Sequence, residues 1–289
     1  MRNQTKNILT MTILIASMFA SEFQLKLTEH ENKTLTFIQP EINIKSKDGF
    51  TRLTTPEKGS TIDEGMPELP VFTSFFQMDV GISYDVNYSV ISSHVVENVE
   101  IYPYQGEPII GMERPFIKNI NFYNSNTNYP ETKLTVSEPM IMRDIEVGLI
   151  SLTPYEYNSV TQSLTIYDEV EINIVESGVR EVNIIFPPKR SKIFEPFYKD
   201  LIVDYEPLSN RDEYQPASIM YICGGTSSSH PYVQELVEWR EKQGYIVYLV
   251  STNETGTSTG SIKSFLQNVM DEYENPPEIV GLIGDTGGT

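Results

Sequence analysis

A cysteine and a histidine in the last third of the chain lie seven positions apart and together could support covalent catalysis. Cys223 ends an apolar run, and His230 follows it across the glycine- and serine-rich stretch 224–229. A cysteine thiolate with a histidine in hydrogen-bond reach can attack a carbonyl carbon. A buried structural cysteine is the commoner arrangement, and nothing in the flanking sequence indicates a lowered thiol pKa. We therefore favour a structural Cys223 and keep the Cys223–His230 pair as the alternative.

The same stretch, and an acidic residue beyond it, could bind a ligand. Residues 224–229 lie between a predicted strand and a predicted helix, where exposed amides bind anions. They match neither the dinucleotide fingerprint nor the phosphate-loop motif with its lysine, so we expect nucleotides not to stabilise the protein. Asp285 falls at the carboxyl end of a predicted strand, where α/β proteins place functional groups, although it could equally cap the next segment.

Acidic clusters and isolated histidines occur earlier in the chain. The clusters could chelate calcium, but they lack the ordered series of oxygen ligands of a calcium-binding loop, so solvated strand edges are the favoured interpretation. The histidines have no cysteine or second histidine nearby, and we expect them to be solvated surface residues. The residues concerned are Glu29, His30, Glu31, His94, Asp168, Glu169 and Glu171.

The composition excludes several classes of protein. The 289 residues include 40 acidic side chains, 21 basic side chains and one cysteine. A single cysteine can supply neither an internal disulfide nor a zinc site, so packing must hold the fold. A net charge of −19 without any run of Lys and Arg argues against nucleic acid as a partner. No cofactor is evident, and the length suggests one or two domains.

Residues 1–20 have the three-part pattern of a secretory signal peptide. Arg2 and Lys6 precede an apolar stretch from Ile8 to Phe19, which ends in small residues. This stretch is too short and too often broken by Thr and Ser to span a bilayer, which needs about 20 apolar residues, so we expect no transmembrane anchor in this chain. We predict removal after Ala20 and a secreted or cell-surface protein. A disordered N-terminus or a buried helix is the alternative.

Residues 21–210 alternate apolar and polar side chains in short runs, which predicts half-buried strands. Glycines and prolines separate these runs at intervals that suit short antiparallel strands in a sandwich or barrel, and no helical period is sustained. The runs include Leu25 with Leu27, Leu35 with Phe37, Ile42 with Ile44, and Tyr84, Val86, Tyr88 and Val90.

The segment 145–175 is the clearest part of this region. It predicts two alternating strands joined by a turn around Asn158-Ser159. The second strand has an apolar face so continuous that a second sheet must cover it. The residues of this face are Leu164, Ile166, Val170, Ile172 and Ile174.

The pattern changes in residues 211–289, and Pro207 to Pro216 is the natural linker. Nearly continuous apolar strands at 218–223, 245–250 and 278–285 alternate with helices predicted at 231–243 and 261–273. Ser229 is the expected N-cap of the first helix, with Pro231 in its first turn. This order predicts a parallel sheet covered on both faces.

Several motifs of this sequence resemble those of the gingipain-type cysteine peptidases, peptidase family C25. The opening of that family's catalytic domain is similar in its strand-helix order, and Gly65-Met66-Pro67-Glu68-Leu69-Pro70 resembles its propeptide signature Gly-x-Pro-x-Leu-Pro. The catalytic-domain matches are Trp239, Arg240, Gln243, Gly244, Tyr245, Pro276, Pro277, Gly284 and Asp285. The matches to the closing strands of the propeptide are Pro154, Tyr157, Asn158, Leu164, Tyr167 and Ile172.

The resemblance implies a secreted zymogen of two fold classes, β then α/β. Residues 1–20 are then a signal peptide, 21–210 an antiparallel β-sandwich propeptide, and 211–289 the truncated first part of a caspase-like α/β/α peptidase domain. The family's catalytic histidine and cysteine come from later strands, and Cys223 does not match the nucleophile's place. No catalytic residue is therefore assigned in this chain, and we predict no peptidase activity for it alone.

Further expectations concern processing, partners and ions. Because Arg211 is the only basic residue in the linker, we predict self-cleavage after Arg211 in an Arg-specific relative, the alternative being one solvated charge in a flexible stretch. The propeptide is expected to contact and inhibit its own peptidase domain, whose substrates would be proteins or peptides. The resemblance also makes calcium possible. The competing hypothesis is a secreted, non-enzymatic β-sandwich adhesion or binding protein with a degenerate α/β tail.

Overall fold

The computed structural model describes residues 23–27, 33–55, 59–107, 111, 114–182 and 189–284, and for 23–27 it describes the backbone alone. The strands are β1 (Phe23–Leu27), β2 (Lys33–Ile38), β3 (Asn43–Lys47), β4 (Phe50–Thr54), β5 (Phe72–Met78), β6 (Ile82–Glu97), β7 (Asn128–Tyr129), β8 (Leu134–Val136), β9 (Met140–Met142), β10 (Ile145–Leu152), β11 (Tyr155–Asn158), β12 (Ser163–Val179), β13 (Arg190–Ser191), β14 (Tyr214–Gln215), β15 (Ser218–Cys223), β16 (Ile246–Ser251) and β17 (Ile279–Ile283). The helices are α1 (Ile120–Tyr123), α2 (Glu195–Leu201), α3 (Pro231–Lys242), α4 (Thr252–Thr255) and α5 (Thr259–Glu272).

The long strand β12 organises the largest sheet. The strand order is β1-β2-β12-β11-β7, with β6 also paired to β12. Both β2 and β11 run antiparallel to β12, at residues 169–174 and 163–166 respectively. The expected apolar face of β12 is confirmed, because all five of its predicted residues are at most 1% exposed. Residues 21–210 are therefore rich in β-structure, as the alternating pattern predicts.

The segment 145–158 corrects one strand prediction. The turn after Asn158 is present, and β11 pairs with β12 across it. The preceding strand is broken at Thr153 and Pro154, so that β10 belongs to a different, four-stranded sheet ordered β5-β10-β8 with β9 also on β10. Proline lacks the amide that a continuous ladder needs, and this is a physical reason for the break.

Burial along β6 corrects a second prediction. Tyr84 is buried, but Tyr88 and Val90 are 36% and 39% exposed, and Ile44 in β3 is 53% exposed. The strands are present where the alternation predicts them. Alternation determines which side of a strand a residue faces, whereas burial also needs another layer over that side.

The last part of the described chain is a parallel three-stranded sheet ordered β16-β15-β17. Helix α3 packs on the face that carries Ile219, Tyr221 and Cys223. Helix α5 packs on the opposite face, which carries Met220 and Ile222. The described residues thus form a parallel sheet with helices on both faces. The predicted strand and helix bounds differ from the observed ones by two residues at most.

Three local predictions, two in this region and one in the segment before it, need adjustment. His230, not Ser229, is the N-cap of α3, because its Nδ1 accepts from the amide of Tyr232 at 3.3 Å. The segment 251–260, between the second predicted strand and the second predicted helix, contains α4, which Ser251 and Glu254 start through a reciprocal capping box. Helix α2 was not predicted, since no helical period is sustained in its segment. With seven residues, the helix is too short to show its period in the sequence.

The described chain divides into two compact units. The first comprises residues up to 73, 85–135 and 151–175, and the second comprises 74–84, 136–150 and 176 onward. The domain boundary expected between residues 210 and 211 divides the sequence and not these compact units, and it stays a prediction. Among the described residues, no helix has the length and apolar character needed to cross a membrane.

Candidate functional site

The segment around Arg211 is held at both ends by short elements of the second unit. Strand β13 precedes α2, and β14 follows the segment. The two strands pair in parallel, with Arg190 opposite Tyr214 and Ser191 opposite Gln215. Tyr214 and Gln215 are both 7% exposed. The predicted linker is therefore anchored at its carboxyl end and is not flexible throughout.

Tyr214 closes the segment into a loop. Its hydroxyl oxygen accepts from the amide of Leu208 at 2.8 Å, and the hydroxyl donates to Glu195 at 3.2 Å. Between these points Asn210 accepts from the amide of Asp212 at 3.0 Å and starts a single 3₁₀ turn, 211–213. The side chains of 209–213 are exposed. Arg211 thus lies at the exposed tip of a short loop whose base is fixed by a buried tyrosine.

Charges at the base of the loop are arranged around Glu195. The side chain of this residue is 5% exposed, and it contacts the ammonium groups of Lys192 and Lys199, the latter at 3.3 Å. The hydrogen bond donated by Lys192 lowers the pKa of Glu195 and outweighs burial, which acts in the opposite direction. Lys192 also lies over the ring of Tyr214, 4.4 Å from its centroid. The loop base therefore carries an ionised Glu195 at neutral pH.

Cys223 and His230 are not arranged as a nucleophile and its base. The Cys223 side chain is completely buried and packs with Ile219, Tyr221 and Val233. Burial raises the pKa of this thiol, which disfavours the thiolate needed for attack. His230 is exposed, and its Nδ1 serves as the cap of α3. This geometry agrees with the structural role favoured for Cys223.

Other candidate residues fall into two groups. Ala20, Glu29, His30, Glu31 and Asp285 lie outside the described residues. Of those described, His94 is exposed as expected, but it has a partner, since its Nδ1 lies 2.8 Å from a carboxylate oxygen of Asp168. Within the described ranges, no group of three or more His, Cys, Asp or Glu side chains is placed to hold a metal ion.

A charge cluster around the buried residue Glu278 in the second unit is absent from the sequence-based candidates. Arg143 and Asp144 form the turn between β9 and β10, and they lie beside Glu278, which precedes β17. Arg143 Nη2 is 3.5 Å from Glu278 Oε1, and Asp144 accepts from the amide of Ser191 and the hydroxyl of Tyr198. One signal was available, since Glu278 is a charged residue at the head of an apolar strand. Nothing local pointed to its partner.

The chain is similar in sequence to a known propeptide family and to two named peptidases. The Propeptide_C25 family model matches residues 20–209. The chain is 26% identical over 280 residues to Gingipain R1 of Porphyromonas gingivalis, covering 90% of this chain and 27% of that protein. It is 22% identical over 260 residues to Lys-gingipain of the same organism, covering 84% of this chain and 15% of that protein. The chain thus spans about a quarter or less of the length of these two relatives.

A solved structure is similar in fold. It is described as the complex of Porphyromonas gingivalis RgpB pro- and mature domains, and the match has a TM-score of 0.53 at 23% identity. The match covers 64% of this chain and 98% of that chain. At this level of identity, the likeness concerns the fold alone.

Proposed function

The chain belongs to the Propeptide_C25 family and represents the propeptide region of a gingipain-type peptidase precursor, and from this premise we propose that residues 21–210 are an inhibitory β-sandwich propeptide. In this proposal the propeptide folds against the peptidase domain of its own precursor and keeps it latent. The single observation that carries the proposal is the match of the family model to residues 20–209. Two sheets that contain ten of the twelve strands described before residue 180 are consistent with it.

Residues 211–289 form, in this proposal, the first part of a caspase-like peptidase domain without its catalytic histidine and cysteine. The parallel sheet with helices on both faces supports an α/β domain of this kind. The burial of Cys223 supports the absence of a nucleophile from the described part. The chain alone is then inactive, and proteins or peptides are substrates only of the complete precursor.

Inhibition in trans tests the proposal. The purified chain is added to the active peptidase of its own precursor, and hydrolysis of fluorogenic Arg, Lys and Asp peptides is measured. We expect excess chain to reduce the rate by about tenfold or more, which requires a concentration of chain about nine times its dissociation constant or more. We expect the chain alone to cleave none of these peptides.

Two controls make the outcome specific. Papain, an unrelated cysteine peptidase, should keep its full rate at the same concentration of chain. A Cys223→Ala variant should inhibit as the unchanged chain does, because Cys223 is buried in the α3 face of the sheet. An undiminished rate with excess folded chain would overturn the inhibitory role. Hydrolysis by the chain that Cys223→Ala abolishes would instead establish the Cys223–His230 pair.

The processing positions are proposed to be Ala20 and Arg211. Exposed loop tips are preferred sites of proteolytic cleavage, and Arg211 lies on one. Mass spectrometry of exported, matured precursor should find N-termini at Ser21 and Asp212. Arg211→Ala should remove the second N-terminus, whereas Lys242→Ala, a change at another exposed basic residue, should leave both. A mature N-terminus elsewhere in 207–216 would refute cleavage after Arg211, and retention in the cytoplasm would refute export.

A further inference from the structure

Glu278 is a buried carboxylate at the junction of the propeptide segment with the α/β segment. Its side chain has no exposed surface. Its amide donates to the carbonyl oxygen and the hydroxyl oxygen of Ser218 at 3.1 and 3.2 Å, which fixes the backbone at the start of β17. Neither carboxylate oxygen accepts a well-formed hydrogen bond from the described residues, and the nearby Ser191 and Ser218 offset the cost of burying its charge only in part. An ionised carboxylate in this state is costly, because burial removes its hydration without replacing it.

The cation that approaches Glu278 comes from the propeptide segment. Arg143 Nη1 donates to the backbone oxygen of Glu278 at 3.1 Å, and Nη2 lies 3.5 Å from Oε1. The guanidinium group also lies over the ring of Phe194, 4.7 Å from its centroid. Arg143 has a φ of 59°, in the left-handed region that non-glycine residues seldom adopt. These contacts direct the turn between β9 and β10 onto the strand that Glu278 begins.

Among the described residues, the remaining groups around Glu278 do not supply a second cation. The same turn contributes Asp144, which repels the Glu278 charge and is itself held by the hydroxyl of Tyr198 in α2. Strands β13 and β15 contribute the neutral residues Ser191 and Ser218. Glu195, at the start of α2, is engaged by Lys192 and Lys199. Burial raises the pKa of Glu278, and the nearby Ser191 and Arg143 only partly oppose it.

We propose that the turn between β9 and β10 and the Glu278 carboxyl form the docking contact between the propeptide segment and the α/β segment, and that this contact is tightest when Glu278 is protonated. The partner surface is therefore part of the same chain, residues 276–279 with Ser218. Arg143 keeps its hydrogen bond to the Glu278 backbone oxygen in either state. On protonation, Glu278 loses only its long ion pair with Arg143, at 3.5 Å. The free-energy cost of burying a charged carboxylate is removed at the same time.

The direction of the pH dependence follows from linkage. The pKa of Glu278 is raised in the folded chain above its ordinary value of 4.5, so the folded chain binds this proton more tightly than the unfolded chain. The stabilisation is fully present below pH 4.5 and is lost as the pH rises through the folded pKa. Each unit of raised pKa corresponds to about a tenfold change in the folding equilibrium.

The test compares Glu278→Gln with the unchanged full-length chain. The glutamine is neutral at every pH, so the variant should become increasingly more stable than the unchanged chain as the pH rises from 4.5. Denaturant midpoints are measured across the pH range. Hydrogen exchange of peptides covering 140–146 and 276–284 should show that the added protection lies in these two segments. Glu238→Gln, the same change at an exposed helical glutamate, is the matched control and should shift neither quantity.

Arg143→Met provides a second arm. It should lower the midpoint most at high pH, where Glu278 is ionised, and Glu278→Gln in the same chain should restore part of the loss. The proposal is overturned if Glu278→Gln lowers the midpoint at every pH, since the ionised pair would then be net stabilising. It is equally overturned if the variant and its control give the same pH profile.

This inference rests on the proposed function only in taking residues 21–210 as the propeptide. Its readouts are midpoints and amide exchange of the chain itself, whereas the proposed function is tested by inhibition of a peptidase. A chain that inhibits but shows no effect of Glu278→Gln would therefore refute the docking contact alone. A chain that shows the effect but does not inhibit would refute the inhibitory role alone.

Discussion

Tyr198→Ala is expected to lower the free energy of unfolding by about 4 kcal/mol, the usual range for removing a buried aromatic ring. Tyr198 is 1% exposed and packs with Ile145, Val147 and Ile202. Its ring centroid is 5.5 Å from that of Tyr205. The substitution leaves a cavity between the two elements of the second unit that carry these residues, β10 and the end of α2. Denaturant unfolding of the two chains measures the difference.

The hydroxyl of Tyr198 has a separate contribution. It donates to Asp144, the residue after Arg143 in the turn of the docking contact. Tyr198→Phe keeps the ring and removes this donor from a partly buried carboxylate, so we expect a smaller loss of about 1–3 kcal/mol. Tyr232→Ala is the control, because Tyr232 is 77% exposed. A loss for Tyr198→Ala no larger than for Tyr232→Ala would show that α2 does not pack on β10 as described.

Gly148→Ala is expected to lower the free energy of unfolding by about 2 kcal/mol through overpacking. A Cβ atom at Gly148 would lie 2.4 Å from Cε1 of the Phe76 ring and 3.2 Å from Sδ of Met78. Phe76 is completely buried and contacts Tyr84 edge to face, with ring centroids 5.8 Å apart, so the ring has little freedom to move away. Gly148 is thus required in β10 by the close approach of β5.

The control for this change is Gly178→Ala in β12. No atom lies within 4 Å of the Cβ position at Gly178, so the change should be neutral or slightly stabilising. Phe76→Leu in the Gly148→Ala chain should recover part of the loss, since contacting residues are energetically coupled. Equal effects of the two glycine substitutions, measured by denaturant unfolding, would contradict the packing of Phe76 against β10.

Elements defined by local pattern were predicted well. The parallel strands and the two long helices of the α/β segment follow from continuous apolar runs, a helical period and the proline and glycine residues that bound them. The buried face of β12 follows from strict alternation. The signature at 65–70 also has a physical basis, since Gly65 has a φ of 77° and Leu69 is completely buried. Its glycine permits the turn, and its leucine packs in the core.

Predictions that depended on a second layer were less accurate. The alternation at Tyr88 and Val90 predicts half-buried residues, yet both are exposed. The segment 145–158 has one alternating pattern, yet it supplies strands to two sheets. In both cases the local pattern describes the strand, while its neighbours are contributed by residues distant in sequence.

The candidate site was predicted in part. The position of Arg211 in an exposed segment follows from the prolines and polar residues around it. The hydrogen bonds by which the Tyr214 hydroxyl joins Leu208 and Glu195 and closes the loop could not be predicted. They form only because the packing of α2 brings Glu195 next to this buried hydroxyl. The histidine seven residues after Cys223 suggested a pair, but the strand directs the thiol into the α3 face.

Local pattern and composition are enough to identify the family, the order and type of most elements, and the single cysteine that cannot form an internal disulfide. These properties depend on residues close together along the chain or on composition. The contact between Arg143 and Glu278 depends instead on the packing of distant segments, because the two residues are 135 positions apart and each lies in a local pattern that is complete without the other. Burial of a charge is a property of the surrounding layers, and those layers form only when distant segments pack together.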